Sequence, residues 1–189
     1  MKKLKAIMIS RVPYDAHFDK TIVPGEVVAD TPTEENFPPS EIHVRPNYDQ
    51  AIDKSGHFDK TPNPSKVIWE ININRPLNTM ENATLTDPMP EGTTYESVEI
   101  YPETVGKNGE IISIDKEHPL VKGTDYTVDS NGKITFIGKY ATTEQAFNVV
   151  YTTTIDESSI PEKEGNVSFK NTATLNDGKT DTNASASVT

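Results

Sequence analysis

The sequence contains no cysteine among its 189 residues. Disulfide bonds, thiol catalysis and zinc sites with cysteine ligands are therefore excluded. Aromatic residues are also scarce, at 7% of the chain, and there is a single tryptophan, Trp69. If such a chain is exported, it must be stabilised by something other than a disulfide bond.

Long hydrophobic runs and excess basic charge are also missing. No stretch predicts a transmembrane helix, and no sorting signal is recognised. The segment MKKLKAIMIS begins like a secretion signal, but Arg11 interrupts it before a proper hydrophobic region forms. Acidic residues outnumber basic ones by 29 to 18, which gives a net charge of -11. This charge argues against nucleic acids and anionic membranes as partners, and we expect no membrane insertion.

Motifs for metal binding or turnover catalysis are absent as well. The histidines His17, His43, His57 and His118 are scattered, and none has a second ligand at the spacing of a helical metal site. The Asp-rich turns lack the ligand order and the closing glutamate of a calcium loop. Neither a Gly-x-Ser-x-Gly elbow nor a glycine-rich phosphate loop occurs. The sequence therefore predicts no metal, no cofactor and no turnover enzyme.

Short alternating segments separated by turn signals dominate the sequence. The segment KVIWEININ places Val67, Trp69, Ile71 and Ile73 on one face, as expected for a half-buried strand. Further strand candidates are ATLTD, YESVEIY, DYTVD, KITFI, FNVVYTT and VSFKNTATL. Turns rich in Gly, Asn and Pro lie between them, and only TTEQAFN offers a short helical turn. The pattern predicts an all-β fold, an immunoglobulin-like antiparallel β-sandwich.

Residues 1–46 and 47–189 differ in pattern. The first part is rich in Pro, Asp, Glu and Thr with weak periodicity, although LKAIMI near its start could form a strand. We interpret 1–46 as an N-terminal segment, either a linker or the remnant of a preceding domain. Residues 47–189 are long enough for one sandwich domain with a proper core.

Three polar residues occupy inward-pointing positions of predicted strands, namely Lys54, Asp87 and Asn171. Each shares its strand face with apolar residues two positions away. Burial lowers the pKa of a lysine and raises that of an aspartate, which gives a neutral amine and a protonated acid. The acid could then polarise the Asn171 carboxamide while the amine attacks it. The trio thus contains the groups needed for a self-made Lys–Asn amide cross-link.

The same residues also have ordinary structural interpretations. Most lysines lie at the surface, Asp87-Pro88 could be simple turn chemistry, and Asn171 could pair with backbone at a strand end. Lys60 is a rival nucleophile, because it has the same strand parity as Lys54. Its Lys-Thr-Pro context indicates a turn, so we favour Lys54.

An ordered set of motifs supports the cross-link hypothesis. It comprises Lys-Ser-Gly at 54–56, Trp-x-Ile-x-x-Asn at 69–74 and Thr-Asp-Pro at 86–88, followed by Gly92. The segments YESVEIY, FNVVYTTTID and VSFKNTATLNDGKT come later in the chain. In this order the motifs resemble the A-type domains of Gram-positive cell-wall adhesins, the collagen-adhesin family. The similarity extends over residues 50–189.

The resemblance implies a role for each residue of the trio. Lys54 would be the nucleophile, Asp87 the acid/base helper and Asn171 the electrophile of an intramolecular isopeptide bond. The family also places aromatic residues around the bond, and each candidate here is equally explained as sandwich core. These candidates are Phe58, Trp69, Phe147, Tyr151 and Phe169.

The resemblance further implies an extracellular adhesin domain that binds a host matrix protein such as collagen or fibrinogen, or is displayed on the cell wall. Neighbouring domains of the same chain would contribute, and we expect the export signal and wall anchor to lie outside this sequence. Two alternatives remain open. One is a structural stalk or pilin-like module that carries the same bond and binds nothing. The other is an accessory carbohydrate-binding module, disfavoured because Trp69 has inward parity.

Overall fold

The computed structural model describes residues 27–30, 40–160 and 165–189. LKAIMI and His17 lie outside the described residues. In the described part of the N-terminal segment, β1 (Val27–Asp30) pairs antiparallel with β2 (Ser40–His43). None of the helices within the described ranges has the length and apolar character needed to cross a membrane.

Two five-stranded antiparallel sheets form the body of the domain. Sheet I contains, in spatial order, β3 (Ile52–Phe58), β4 (Lys66–Ile73), β12 (Ala146–Ile155), β7 (Thr93–Val105) and β8 (Ile111–Ile114). Sheet II contains β14 (Asp181–Val188), β13 (Phe169–Asn176), β6 (Thr84–Thr86), β10 (Ile134–Phe136) and β9 (Tyr126–Val128). The predicted all-β antiparallel sandwich is confirmed.

Smaller elements connect these strands. The short strands β5 (Met80–Glu81) and β11 (Thr142–Thr143) pair with each other. Two single 3₁₀ turns, η1 (Gly138–Tyr140) and η2 (Glu157–Ser159), lie on either side of β12 in the sequence. They supply the helical content of the described residues.

The hydrophobic core lies between the two sheets. The strand face predicted from KVIWEININ is confirmed, because Val67, Trp69, Ile71 and Ile73 are all fully buried. Sheet II contributes Leu85, Ile134, Phe136, Ala173 and Leu175 to the same core. Removing this apolar surface from water is the main term that holds the sheets face to face.

The helical turn predicted in TTEQAFN is wrong. This segment supplies β11 and the start of β12, which pairs with β4 on one side and β7 on the other. A strand at the centre of a sheet has backbone hydrogen bonds on both edges, and the long ladder overrides the local preference. Strands β8 and β14 were not predicted, because neither has a clear apolar alternation.

Candidate functional site

Lys54 and Asp87 meet in the core between the sheets. The Lys54 Nζ atom donates hydrogen bonds to both carboxyl oxygens of Asp87, at 2.9 and 2.8 Å. Neither side chain has any exposed surface. Lys54 comes from β3 at the edge of sheet I, and Asp87 follows directly after β6 of sheet II. The contact therefore connects the two sheets.

Asn171 lies on β13 of sheet II and is also buried. Burial raises the pKa of Asp87, and the Asn171 side-chain amide lies close enough to that carboxyl to oppose part of the rise. Its Nδ2 atom nevertheless has no hydrogen-bond partner of ordinary geometry within the described residues. Lys54, Asp87 and Asn171 thus form one buried cluster, which we call the cross-sheet triad.

Burial governs the ionisation of the triad. Desolvation lowers the pKa of Lys54, and the Asp87 charge and hydrogen bond oppose this effect. Desolvation also raises the pKa of Asp87, opposed first by Lys54 and then by Asn171. The two pKa values therefore move toward each other, which favours transfer of a proton from the ammonium to the carboxylate. The product of this transfer is a neutral amine beside a neutral acid.

Trp69 and Gly56 hold Lys54 in place. The Lys54 Nζ atom lies 4.9 Å from the centroid of the Trp69 ring. Gly56 stands opposite Trp69 in the register of β3 and β4. A Cβ atom at position 56 would lie 2.6 Å from the Trp69 ring and 2.7 Å from a methyl carbon of Val188. The missing side chain lets the ring lie against β3 beside Lys54, a role that the sequence motif alone did not reveal.

The remaining aromatic candidates occupy different parts of the core. Phe58 and Phe169 pack edge to face with ring centroids 6.4 Å apart, and they connect β3 to β13 next to the triad residues of those strands. Phe147 instead stacks on Phe136 at 4.9 Å and contacts Tyr140 edge to face at 5.1 Å. This second aromatic group fits the core interpretation of Phe147.

Tyr151 lies on the triad side of the core. Burial raises its pKa, and the charge of Asp87 adds to this effect, which places the phenol within electrostatic range of the triad. Its hydroxyl group donates a hydrogen bond to the Gly132 carbonyl at 3.1 Å. The phenol is therefore held as a neutral group.

The rival nucleophile and the histidines lie at the surface. Lys60 is exposed in the loop between β3 and β4. His57 and His118 are exposed, and His118 Nδ1 lies 2.9 Å from Asp115. Across the described ranges, no three His, Asp or Glu side chains come together as a set of metal ligands.

These features define a two-sheet, immunoglobulin-like sandwich domain with a polar triad buried between its sheets. The sequence family of the collagen binding domain matches residues 49–186. Because this match covers most of the chain, the protein belongs to the collagen binding domain family. No curated protein sequence matches the chain.

The solved structure of a streptococcal adhesin domain shares this fold. The N-terminal domain of the Streptococcus gordonii adhesin Sgo0707 matches 78% of this chain with a TM-score of 0.54 and 15% identity. The match covers 34% of that structure, so the present chain spans about a third of its length.

Two collagen-binding proteins give weaker matches. The ACE19 subdomain of the Enterococcus faecalis surface protein ACE has a TM-score of 0.49 and 18% identity, over 73% of this chain and 95% of that one. The collagen-binding domain of a Staphylococcus aureus adhesin has a TM-score of 0.46 and 19% identity, over 74% of this chain and 97% of that one.

Proposed function

We propose that this chain is a cell-surface adhesin domain that attaches to a host matrix protein and is stabilised by an isopeptide bond between Lys54 and Asn171. The observation that carries the proposal is the fully buried contact of Lys54 with Asp87 beside the Asn171 carboxamide. A buried ion pair contributes little net stability, because desolvation of both groups offsets their attraction. Its position between the apolar faces of the two sheets is therefore better explained by chemistry than by packing.

The proposed reaction needs no external reagent. The neutral Lys54 Nζ attacks the Asn171 Cγ atom, while protonated Asp87 donates a hydrogen bond to the amide oxygen and stabilises the tetrahedral intermediate. The bond from Cγ to Nδ2 then breaks, and its electron pair leaves with the departing nitrogen. Asp87 carries a proton from the Lys54 nitrogen to this leaving group. One amine and one primary amide give one secondary amide and one ammonia.

The position of the bond suits a domain that bears tension. It would join β3, an edge strand of sheet I, to β13, the second strand of sheet II. The two sheets would then be held together by a covalent bond as well as by the core. Sheet separation under load would require covalent rupture, which suits an extracellular domain without disulfides.

Family membership supports the adhesive part of the proposal. A member of the collagen binding domain family is expected to attach to a matrix protein such as collagen or fibrinogen. Neighbouring domains and a cell-wall anchor elsewhere in the parent protein belong to the same proposal. The carbohydrate-binding alternative needs exposed coplanar rings, whereas Trp69 is fully buried. The stalk alternative shares the bond and differs only in binding nothing.

Intact mass spectrometry tests the bond. The unaltered chain should be lighter than its translated sequence by one ammonia, and Lys54→Ala, Asp87→Ala and Asn171→Ala should each carry their full mass. Lys60→Ala is the matched control and should still lose ammonia. Full mass in the unaltered chain would contradict the bond, and loss blocked by Lys60→Ala alone would move the nucleophile to Lys60.

Binding to immobilised collagen and fibrinogen tests adhesion separately. Saturable binding of the cross-linked chain to either protein is expected. Cross-linked protein that binds neither would favour the stalk interpretation without affecting the evidence for the bond.

A further inference from the structure

Glu103 is a buried carboxyl group that the triad does not use. It lies on β7 with 1% of its surface exposed, and neither carboxyl oxygen has a hydrogen-bond partner among the described residues. Its neighbours across the sheet are Ala146 on β12 and Ile114 on β8, which are both apolar. An ionised carboxylate left in this position without a partner would carry a large desolvation penalty.

Arg75 acts electrostatically on Glu103, but its guanidinium group forms its hydrogen bonds with other residues. Its Nη1 atom donates a hydrogen bond to Asp53 at 2.5 Å. Its Nε atom donates to the Gly109 carbonyl at 2.7 Å, and Nη2 donates to the same oxygen. The guanidinium carbon lies 4.5 Å from the centroid of the Tyr48 ring. Arg75 therefore connects β3, the turn between β7 and β8, and the residues that precede β3.

Residues 45–50, which we call the entry segment, are docked on the sandwich through a few contacts. A side chain at Gly109 would overlap the Tyr48 ring, so this ring lies against both Gly109 and Arg75. Arg45 pairs with Glu144 at 2.9 Å. The Asn47 amide donates a hydrogen bond to the Lys107 carbonyl at 2.8 Å.

The charged groups that act on Glu103 are Arg75 and Asp53. Burial raises the pKa of Glu103 to about 7. The positive charge of Arg75 opposes this rise, and the negative charge of Asp53 adds to it. Backbone hydrogen bonds from Glu110 itself and from Asn108 lower the pKa of Glu110, and the charge of Arg75 adds a smaller effect in the same direction. A neutral Glu103 needs no counterion. An ionised Glu103 needs a cation such as Arg75 beside it to offset its desolvation.

We propose that Glu103 and Arg75 form a proton-controlled latch, which holds the entry segment on the sandwich while Glu103 is neutral and releases it when Glu103 ionises. After Glu103 loses its proton to solvent, Arg75 turns toward it and leaves the Gly109 carbonyl and the Tyr48 ring. Asp53 keeps its hydrogen bond from Asn72, at 2.9 Å. The entry segment then loses its contact at Tyr48, so its remaining contacts, at Arg45, the buried Pro46 and the Asn47 amide, open more often. Strand β2, which ends at His43 shortly before this segment, gains orientational freedom.

Hydrogen exchange of the entry segment in the full chain tests the latch, because Asn47 has a protected amide in the docked state. Comparison of variants at one pH cancels the intrinsic dependence of exchange on pH. One unit above the Glu103 pKa, this amide should exchange about tenfold faster in the unaltered chain than in Glu103→Gln. At acidic pH the two should exchange at the same rate. Equal rates at both pH values would overturn the proposal.

A control variant and an independent NMR measurement separate the latch from a general effect on folding. Glu96→Gln changes another glutamate of β7, one paired with Lys66 at the surface, and should exchange like the unaltered chain at every pH. In the unaltered chain, NMR signals of the Tyr48 ring and the Glu103 carboxyl should titrate with the same midpoint. A Tyr48 ring that does not respond to this titration would also overturn the proposal.

Discussion

Replacing Asn171 by alanine separates the covalent contribution to stability from the noncovalent one. The substitution removes the electrophile but leaves Lys54 and Asp87 hydrogen-bonded in the core. The Nδ2 atom of Asn171 has no partner of ordinary geometry, so its removal breaks no such hydrogen bond within the described structure. The loss of stability should therefore report mainly the missing cross-link.

The expected magnitude follows from the length of the loop that the bond closes. Lys54 and Asn171 are separated by more than a hundred residues, and closure of a loop of roughly 100 residues stabilises a fold by about 4.7 kcal/mol. The small cavity left by truncation adds about 1 kcal/mol. In a domain of this size each kcal/mol corresponds to roughly 2–4 °C in Tm. Asn171→Ala should therefore melt about 10–20 °C below the unaltered chain.

Calorimetry and intact mass on the same samples provide the assay. The unaltered chain should show both the loss of ammonia and the higher Tm. Asn183→Ala, at an exposed asparagine of β14, is the matched control and should change neither. If the bond is present by mass but Asn171→Ala lowers Tm by only about 2–4 °C, as expected from the cavity contribution of about 1 kcal/mol, the stabilising role is refuted.

Two further predictions concern Glu103 and Gly56. The pKa of Glu103 rises from 4.5 to about 7 on folding, so its contribution to stability is full below about pH 4.5 and declines by about 3 kcal/mol as pH rises through about 7. Urea denaturation should show this decline in the unaltered chain but not in Glu103→Gln, and a decline that persists would contradict it. Gly56→Ala should cost about 1–3 kcal/mol by crowding Trp69 and Val188, and should slow ammonia loss. Gly106→Ala, which also lacks a positive φ and whose Cβ would meet only the flexible Glu110 side chain, is the control and should cost less, and equal effects would contradict crowding.

The strands that were predicted correctly have strong side-chain alternation. In β4 the apolar residues fall at every second position, and because strand side chains alternate between faces, this pattern alone identifies the buried face. In β14, by contrast, Ser, Thr, Asn and Ala dominate and only Val188 is buried. This strand forms because all its residues pair with β13, a long-range interaction that leaves no periodic signal in its own sequence.

For the cross-sheet triad and for Glu103, too, the sequence determines one part of the site and the tertiary structure decides the other. Strand parity indicated that Lys54, Asp87 and Asn171 point inward, because parity depends only on neighbours along the chain. Parity carries no information about which strands face each other across the sandwich. Sheet packing decided that β3 faces the end of β6 and places Lys54 Nζ 2.8 Å from Asp87. The environment of Glu103 likewise arises from residues distant in sequence, and no local pattern encodes contacts over such separations.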